Sequence, residues 1–280
     1  MPAEPRLLAV GERPTIRGEV AGEGPAIVLC HGITATRRYV VHGSRVLERA
    51  GHTVVTYDAR GHGESDPAPE DQGYGYPQLV ADLQAVLAVA VGEEFVLAGH
   101  SMGAHTAVAY ALRHPHRLGG LVLIGPVYMG EIPVETLEYW DGLAAALETG
   151  GVDGFLDYLD REQGIDPAWR DSVLRFTRER MLQHRHLDAV VEALRQVPRS
   201  RPFGTMAELE SLQVPTLVVA SHDAADPGHP RQVAEAYVEH LPRARLTSEA
   251  EGESPLAWQG GRLSREIGRA SCRERVLPTV

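Results

Sequence analysis

Lysine and asparagine are both absent from this sequence of 280 residues, so each of its 27 basic side chains is an arginine. We attribute this bias to the codon usage of a GC-rich genome and not to function. Acidic residues number 38, which leaves a net charge of −11. An acidic chain lacks the basic surface that neutralises phosphates, so we expect no nucleic-acid partner.

Cysteine is scarce as well, since Cys30 and Cys272 are the only two, and a disulfide framework is therefore not implied. The most apolar stretch, residues 79–91, contains Asp82 and Gln84 and is too short to cross a bilayer. The first residues lack the basic and apolar segments of a secretory signal. We therefore predict a cytoplasmic protein with no membrane partner.

Short apolar runs rich in β-branched residues alternate with longer amphipathic segments, which is typical of an α/β fold with a parallel sheet. Strands are predicted at residues 26–30, 53–58, 95–98, 121–124, 215–220 and 244–248, after an antiparallel edge hairpin formed by 6–10 and 16–20. Helices are predicted at residues 38–50, 76–91, 102–113 and 230–241. Right-handed crossovers would place these helices on both faces of the sheet.

The alternation stops between Pro126 and Ser211, where the sequence is helical in character and rich in aromatic residues. We predict a helical cap over residues 126–210, inserted into a core formed by residues 1–125 and 211–265. The aromatic residues pack its helices or together line an apolar pocket. Charged runs within it, such as residues 175–180, are interpreted as solvated helix faces.

The last residues, 266–280, do not continue the sequence pattern of the preceding chain. Their segment 266–276 resembles the in-frame translation of a common sequencing adapter. We therefore interpret residues 266–280 as a non-native tail and leave Cys272 out of the fold prediction.

The strongest motif is the pentapeptide G-H-S-M-G at residues 99–103. It directly follows a predicted strand and opens a predicted helix, which is the context that gives a G-x-S-x-G match its meaning. The two glycines permit a tight turn in which a Cβ would clash. Such a turn projects Ser101 into a cleft above a helix N-terminus, which favours developing negative charge. Ser101 is therefore predicted to be a nucleophile.

With this motif the chain resembles the α/β-hydrolase fold superfamily, over essentially residues 1–265. The resemblance implies a mostly parallel eight-stranded sheet flanked by helices, with an inserted helical cap. It places the oxyanion loop at His31-Gly32, so that the backbone N–H groups of Ile33 and Met102 would form the oxyanion hole. Residues 58–65 resemble the family's D-x-R-G-x-G-x-S loop, to which we assign a structural role.

The resemblance places the catalytic acid after the strand at residues 215–220, where Asp223 is the match and Asp226 the nearby alternative. The family's histidine follows the last strand, but all 13 histidines lie at or before His240. The aligned residue is Glu253.

A serine hydroxyl needs a base that also returns the proton to the leaving group, and a solvated glutamate is a poor acid near neutral pH. Burial of Glu253 beside Asp223 would raise its pKa and give a Ser–carboxylate site. Alternatively the base is a histidine from elsewhere, with His222 and His229 as candidates. His100 is a poor candidate because neighbouring residues of the turn point away from Ser101.

No metal-ligand spacing, G-x-G-x-x-G sequence or P-loop follows any predicted strand, so we expect no metal and no cofactor. The leading hypothesis is a hydrolase that cleaves a small apolar ester or related acyl substrate. Two alternatives stay open: a non-catalytic protein that binds a small ligand, and a cofactor-free carbon–carbon lyase or oxygenase that uses acid–base chemistry.

Overall fold

The structure is a computed structural model that describes residues 4–222 and 225–270. Its strands are β1 Arg6–Val10, β2 Ile16–Ala21, β3 Ala26–Cys30, β4 Thr53–Tyr57, β5 Phe95–His100, β6 Leu118–Ile124, β7 Thr216–Val219 and β8 Ala244–Thr247. Its α-helices are α1 Val46–Arg49, α2 Tyr76–Ala90, α3 Met102–Ala111, α4 Val134–Glu162, α5 Arg170–Met181, α6 Leu187–Gln196, α7 Arg231–His240 and α8 Gly260–Ala270. None of the helices in these two stretches has both the length and the apolar character needed to cross a membrane.

The strands form one eight-stranded sheet in the order β1-β2-β4-β3-β5-β6-β7-β8. β2 pairs antiparallel with β1 and with β4, and the other pairs are parallel. The predicted fold class and the predicted edge hairpin are therefore confirmed. β3 and β6 contain no charged or hydroxyl side chain, as expected where helices cover both faces of a parallel sheet.

The helix predicted at residues 38–50 is wrong. Only a 3₁₀ turn, Arg37–Tyr39, and the four-residue α1 form there. His42 and Gly43 between them have φ values of 49° and 70°. A left-handed backbone cannot continue a right-handed helix, so the chain turns at these two residues.

The segment between β6 and β7 contains α4, α5 and α6, which we call the cap helices. Their buried side chains, which include Phe155, Met181 and Leu194, belong to an apolar cluster that also contains Ile33 and Met102. The cap helices therefore share one apolar cluster with the two residues whose N–H groups the sequence predicts for the oxyanion hole.

The C-terminal helix α8 extends past residue 265, where the predicted tail begins, and continues to Ala270. Leu263, Ile267 and Ala270 are buried against the sheet. Residues 266–270 thus complete the apolar face of α8, while the rest of the predicted tail, with Cys272, lies outside the described residues.

Candidate active site

Ser101 lies at the turn between β5 and α3, with φ 53° and ψ −114°. Its backbone N–H donates a hydrogen bond of 2.9 Å to the Ile124 carbonyl of the neighbouring strand β6. A Cβ on Gly99 would lie 2.1 Å from the Gly103 oxygen, so only glycine fits there. Positive φ at a non-glycine residue is strained and is typical of functional turns. The turn predicted from the sequence is present.

The loop after β3 places Ile33 beside this turn. A Cβ on the preceding Gly32 would lie 3.0 Å from His100 Nδ1 and 3.4 Å from Ser101 Cβ, so the loop and the turn touch. His31 accepts a hydrogen bond from the Ala59 N–H at Nε2 (2.9 Å) and donates from Nδ1 to the Gly32 carbonyl (2.8 Å). Burial lowers the pKa of His31 to about 3, so its ring is neutral.

The loop of residues 58–65 contacts the loop after β3 and helps to hold it in position. The Asp58 carboxylate is buried and accepts hydrogen bonds from Arg37 and from the Glu64 N–H. His62 is buried too, and its Nε2 lies 2.6 Å from the Ile33 carbonyl oxygen. Both residues therefore hold backbone in position, in agreement with the structural role assigned to this loop.

Asp223, the predicted acid, lies outside the described residues. The alternative acid, Asp226, is paired with His229, whose Nδ1 donates a hydrogen bond of 2.9 Å to Asp226 Oδ1. Both side chains are mostly buried, with 12% of Asp226 and 18% of His229 exposed. Burial raises the pKa of Asp226, but His229, His100 and Arg180 together outweigh it, so the pKa lies below its usual value.

His229 stands next to the Ser101 turn. A Cβ on Gly125, directly after β6, would lie 2.9 Å from His229 Cδ2. The rings of His229 and His100 are 4.9 Å apart between centroids. Burial, with a smaller contribution from His229, lowers the pKa of His100 to about 3. Within the described stretches, Ser101 Oγ makes no hydrogen bond to an imidazole.

Glu253 is placed elsewhere. Half of its side chain is exposed and it forms an ion pair with Arg262 of α8. The hydrogen bonds from Arg262 and from the Ala250 N–H lower its pKa, which is opposite to the raised pKa that a Ser–carboxylate site requires. His222 is exposed and its Nε2 lies 2.7 Å from Ser248 Oγ.

One set of described residues combines possible metal ligands: atoms of His100, Asp226 and His229 lie within 4.8 Å of one another. However, Asp226 Oδ1 already accepts the His229 proton, and the positive charge of Arg180 acts on the same carboxylate. A cation would compete with both interactions, so we assign no metal to this set. The absence of a metal stays a prediction.

Sequence reasoning named Asp226 only as the alternative acid and His229 as one of two candidate histidines, and it did not predict that the two would pair. One further interpretation of the sequence was wrong. Arg180, which belongs to the run interpreted as a solvated helix face, has a buried Nε atom. That interpretation is therefore wrong for Arg180, and an arginine-rich helix gives no sequence signal for which arginine turns inward.

The sheet order, the strained serine between β5 and α3, and the loop after β3 that adjoins it are the features of an α/β-hydrolase fold. A family model described as alpha/beta hydrolase fold matches residues 25–259. The chain belongs to this family.

Its relatives carry hydrolase names. A 2-hydroxy-6-oxononadienedioate/2-hydroxy-6-oxononatrienedioate hydrolase of Pseudomonas putida is 34% identical over 213 residues, which are 71% of each chain. An N-formylmaleamate deformylase of Pseudomonas putida is 33% identical over 164 residues, 56% of this chain and 57% of the relative. A solved thermophilic esterase from Thermogutta terrifontis has a TM-score of 0.75 and 20% identity, covering 95% of this chain and 97% of its own. The relatives support a hydrolase, and the esterase supports the fold.

Proposed function

We propose that the protein is a serine hydrolase that cleaves a small acyl substrate, with Ser101 as nucleophile and His229 as general base. The observation that carries the proposal is the hydrogen-bonded Asp226–His229 pair beside the Ser101 turn. An acid that holds a histidine near a serine is the arrangement that activates a hydroxyl. Here the histidine comes from the loop after β7 and replaces the one missing after β8.

His229 is a better base than the other candidates. A pKa of about 3 makes His100 a weak proton acceptor. Glu253 is exposed and paired with Arg262, and His222 is exposed and bound to Ser248. Asp226 is ionised near neutral pH because its pKa is lowered. It therefore keeps the proton on His229 Nδ1 and leaves Nε2 free to accept one.

In the proposed reaction, Ser101 Oγ attacks the substrate carbonyl carbon while its proton passes to His229 Nε2. The tetrahedral intermediate collapses, and the protonated imidazole gives that proton to the leaving group. Water then attacks the acyl-serine, again with His229 as base, and releases the acid and free Ser101. Asp226 stabilises the imidazolium in both halves.

The developing oxyanion would be held by the N–H groups of Ile33 and Met102. The Ile33 N–H belongs to the same peptide unit as the Gly32 carbonyl, which accepts the Nδ1 proton of His31. A hydrogen bond to a carbonyl polarises its peptide and strengthens the N–H as a donor. One such donor contributes roughly 2.7–4 kcal/mol to catalysis. His31 is thus a positioning residue for the proposed hole.

The acyl part of the substrate is proposed to be at least partly apolar. Tyr139, Trp140 and Tyr158 are partly buried and pack on the cluster that contains Ile33 and Met102. An apolar surface next to the reacting carbonyl favours an apolar chain. A preference for acetate over longer acyl chains would contradict this part of the proposal.

The test is hydrolysis of p-nitrophenyl esters of short and medium chain by wild type, Ser101→Ala, His229→Gln and Glu253→Gln. We expect turnover to be lost in the first two variants and kept in Glu253→Gln. If turnover were lost in Ser101→Ala and Glu253→Gln but kept in His229→Gln, the general base would be Glu253 and not His229. Absence of turnover and of acyl-Ser101 by mass spectrometry, in folded wild type, would favour the non-catalytic binding protein.

A further inference from the structure

Three histidines surround the turn of residues 32–34, which follows β3. Each of the three successive carbonyl oxygens of this turn faces one ring nitrogen, at 2.8 Å from His31, 2.6 Å from His62 and 3.3 Å from His184. All three rings are buried. Their centroids are 5.2 Å apart between His31 and His62 and 5.5 Å apart between His62 and His184. The carbonyl groups of the turn are therefore held one by one by imidazole side chains.

This turn carries the N–H group of Ile33, the proposed oxyanion donor. The Ala35 N–H closes the turn with a hydrogen bond of 3.0 Å to the Gly32 carbonyl. Successive peptide planes are rigid and share one Cα atom, so in a closed turn a rotation at the Thr34 carbonyl changes the orientation of the planes before it. The direction of the Ile33 N–H therefore depends on the hydrogen bonds to all three carbonyls.

His184 differs from the other two histidines in its place in the chain. It lies between the cap helices α5 and α6, whereas His31 and His62 belong to the core. Its Nδ1 accepts a hydrogen bond of 2.9 Å from the Gly63 N–H. Burial lowers the pKa of His184 to about 3, so the ring is neutral. The single ring proton is thus on Nε2 and is donated to the Thr34 carbonyl.

The residues on either side of His184 are hydrogen-bonded to the core as well. Gln183 donates a hydrogen bond of 2.7 Å to Tyr39 Oη and accepts one of 3.2 Å from Thr36 Oγ1. The Arg185 N–H donates a hydrogen bond of 3.0 Å to the Gly63 carbonyl. This three-residue segment therefore joins the cap to the two core loops that meet at the turn.

We propose that His184 is a positioning residue through which the cap fixes the oxyanion donor at Ile33. While the cap is seated, the turn is held at three successive carbonyls. When the cap moves away, the hydrogen bond to the Thr34 carbonyl is lost and the Ile33 N–H loses its fixed direction. The position of the cap and the strength of the oxyanion hole are thereby linked. This proposal rests on the proposed function, since it takes the Ile33 N–H as an oxyanion donor.

The first experiment compares inhibition by a medium-chain trifluoromethyl ketone and by the alcohol obtained from it by reduction. The ketone carbon bonds to Ser101 Oγ, the serine proton passes to His229, and the resulting oxyanion occupies the hole. The alcohol has nearly the same shape but forms no oxyanion. Wild type should therefore bind the ketone more tightly than the alcohol.

His184→Asn keeps an acceptor near the Nδ1 position for the Gly63 N–H but does not extend to the Thr34 carbonyl. We expect this variant to weaken inhibition by the ketone and to lower kcat for ester hydrolysis, each roughly 10- to 100-fold, which is less than the effect of removing a whole donor. The KM and the affinity for the alcohol should stay unchanged, because the apolar surface that binds the acyl chain is intact.

Two further variants accompany this comparison. His184→Gln places an amide nitrogen near the Nε2 position, from which it donates to the Thr34 carbonyl, so all four quantities should stay close to those of wild type. Arg185→Gln breaks an exposed ion pair with Glu64 in the same segment and should also change none of them. A loss in His184→Gln as large as in His184→Asn, or an equal loss for ketone and alcohol, would overturn the proposal.

The second experiment, hydrogen–deuterium exchange, measures the link between cap and turn without catalysis. The Ala35 N–H, which closes the turn, is the reporter. Exchange at residues 31–36 should be faster in ligand-free His184→Asn than in wild type and unchanged in β5 and β6. That result supports the role of His184 even if wild type binds the ketone no better than the alcohol, in which case only the proposed function fails. Equal exchange of the two proteins at residues 31–36, or an equal acceleration in β5 and β6, would refute the positioning role.

Discussion

His229 Nδ1 lies 2.9 Å from Asp226 Oδ1, and the two residues are three positions apart in the loop that follows β7. The resemblance to the family predicted that acid and histidine would come from two different loops, after β7 and after β8. In this chain one loop holds the hydrogen-bonded pair that we propose for these two roles, and the position after β8 holds the exposed Glu253. Because Asp226 and His229 lie in the same loop, their relative position does not depend on a second loop.

His229→Gln tests this pair. We expect ester hydrolysis to fall roughly 10²- to 10⁴-fold, because the hydroxyl of Ser101 loses its base. The matched control is His222→Gln, a change at an exposed histidine of the same loop. Steady-state kinetics with a p-nitrophenyl ester measures both. An equal loss in the two variants would mean that the loop conformation, and not the imidazole of His229, is responsible.

The parts of the molecule that local sequence determines were predictable. Continuous apolar runs such as 95–98 give the buried strands, and the glycines around Ser101 give the strained turn. The choice of His229 over His222 was not, because it depends on which of these two histidines approaches Gly125 in three dimensions. Similarly, the polar pattern of α5 does not reveal that Arg180 turns inward. The sequence also gives no signal for the left-handed backbone of His42, which interrupts the helix predicted at residues 38–50.

Gly103→Ala tests the close packing of the turn. A Cβ at Gly103 would lie 2.1 Å from the Cys30 carbonyl oxygen, which is backbone and cannot rotate away. We expect a loss of roughly 1–3 kcal/mol in the free energy of unfolding, measured by urea denaturation, together with loss of ester hydrolysis. At Gly92 a Cβ meets nothing within 4 Å, so Gly92→Ala should be nearly neutral. Similar stability of the two variants would contradict the packing of the turn.

Asp82→Ala tests the buried ion pair that anchors the loop of residues 58–65 to α2. Arg60 donates two hydrogen bonds of 2.7 Å to Asp82, and both side chains are less than a tenth exposed. Removal of the acid leaves a buried guanidinium uncompensated, which should lower the free energy of unfolding by roughly 3–5 kcal/mol.

Two further variants complete this test. The double variant Arg60→Met/Asp82→Leu should recover much of that loss, because it removes the stranded charge along with its partner. Asp153→Ala removes the acid of an exposed pair and should change the free energy by less than about 1 kcal/mol. If the double variant is as unstable as Asp82→Ala, the pair is stabilising in itself and the stranded charge is not the cause.

His105 on α3 predicts how stability depends on pH. Its Nε2 accepts hydrogen bonds from the Val127 and Tyr128 N–H groups at 3.0 and 3.2 Å, and its Nδ1 lies 3.0 Å from Tyr76 Oη. The ring is therefore neutral, and burial lowers its pKa to about 3. A proton on Nε2 would break both bonds that hold the start of the segment leading to the cap helices.

Because the pKa of His105 is lower in the folded than in the unfolded protein, its contribution is complete above about pH 6.5 and declines as the pH falls toward 3. Between about pH 7.5 and pH 5 it should amount to roughly 1–2 kcal/mol of the free energy of unfolding. Urea denaturation at the two pH values should give a smaller difference for His105→Gln than for wild type. His116→Gln, at an exposed histidine, should leave the difference unchanged. If His105→Gln loses as much stability on acidification as wild type, the proton is taken up elsewhere, and the neutral ring of His105 is not what ties this segment to α3.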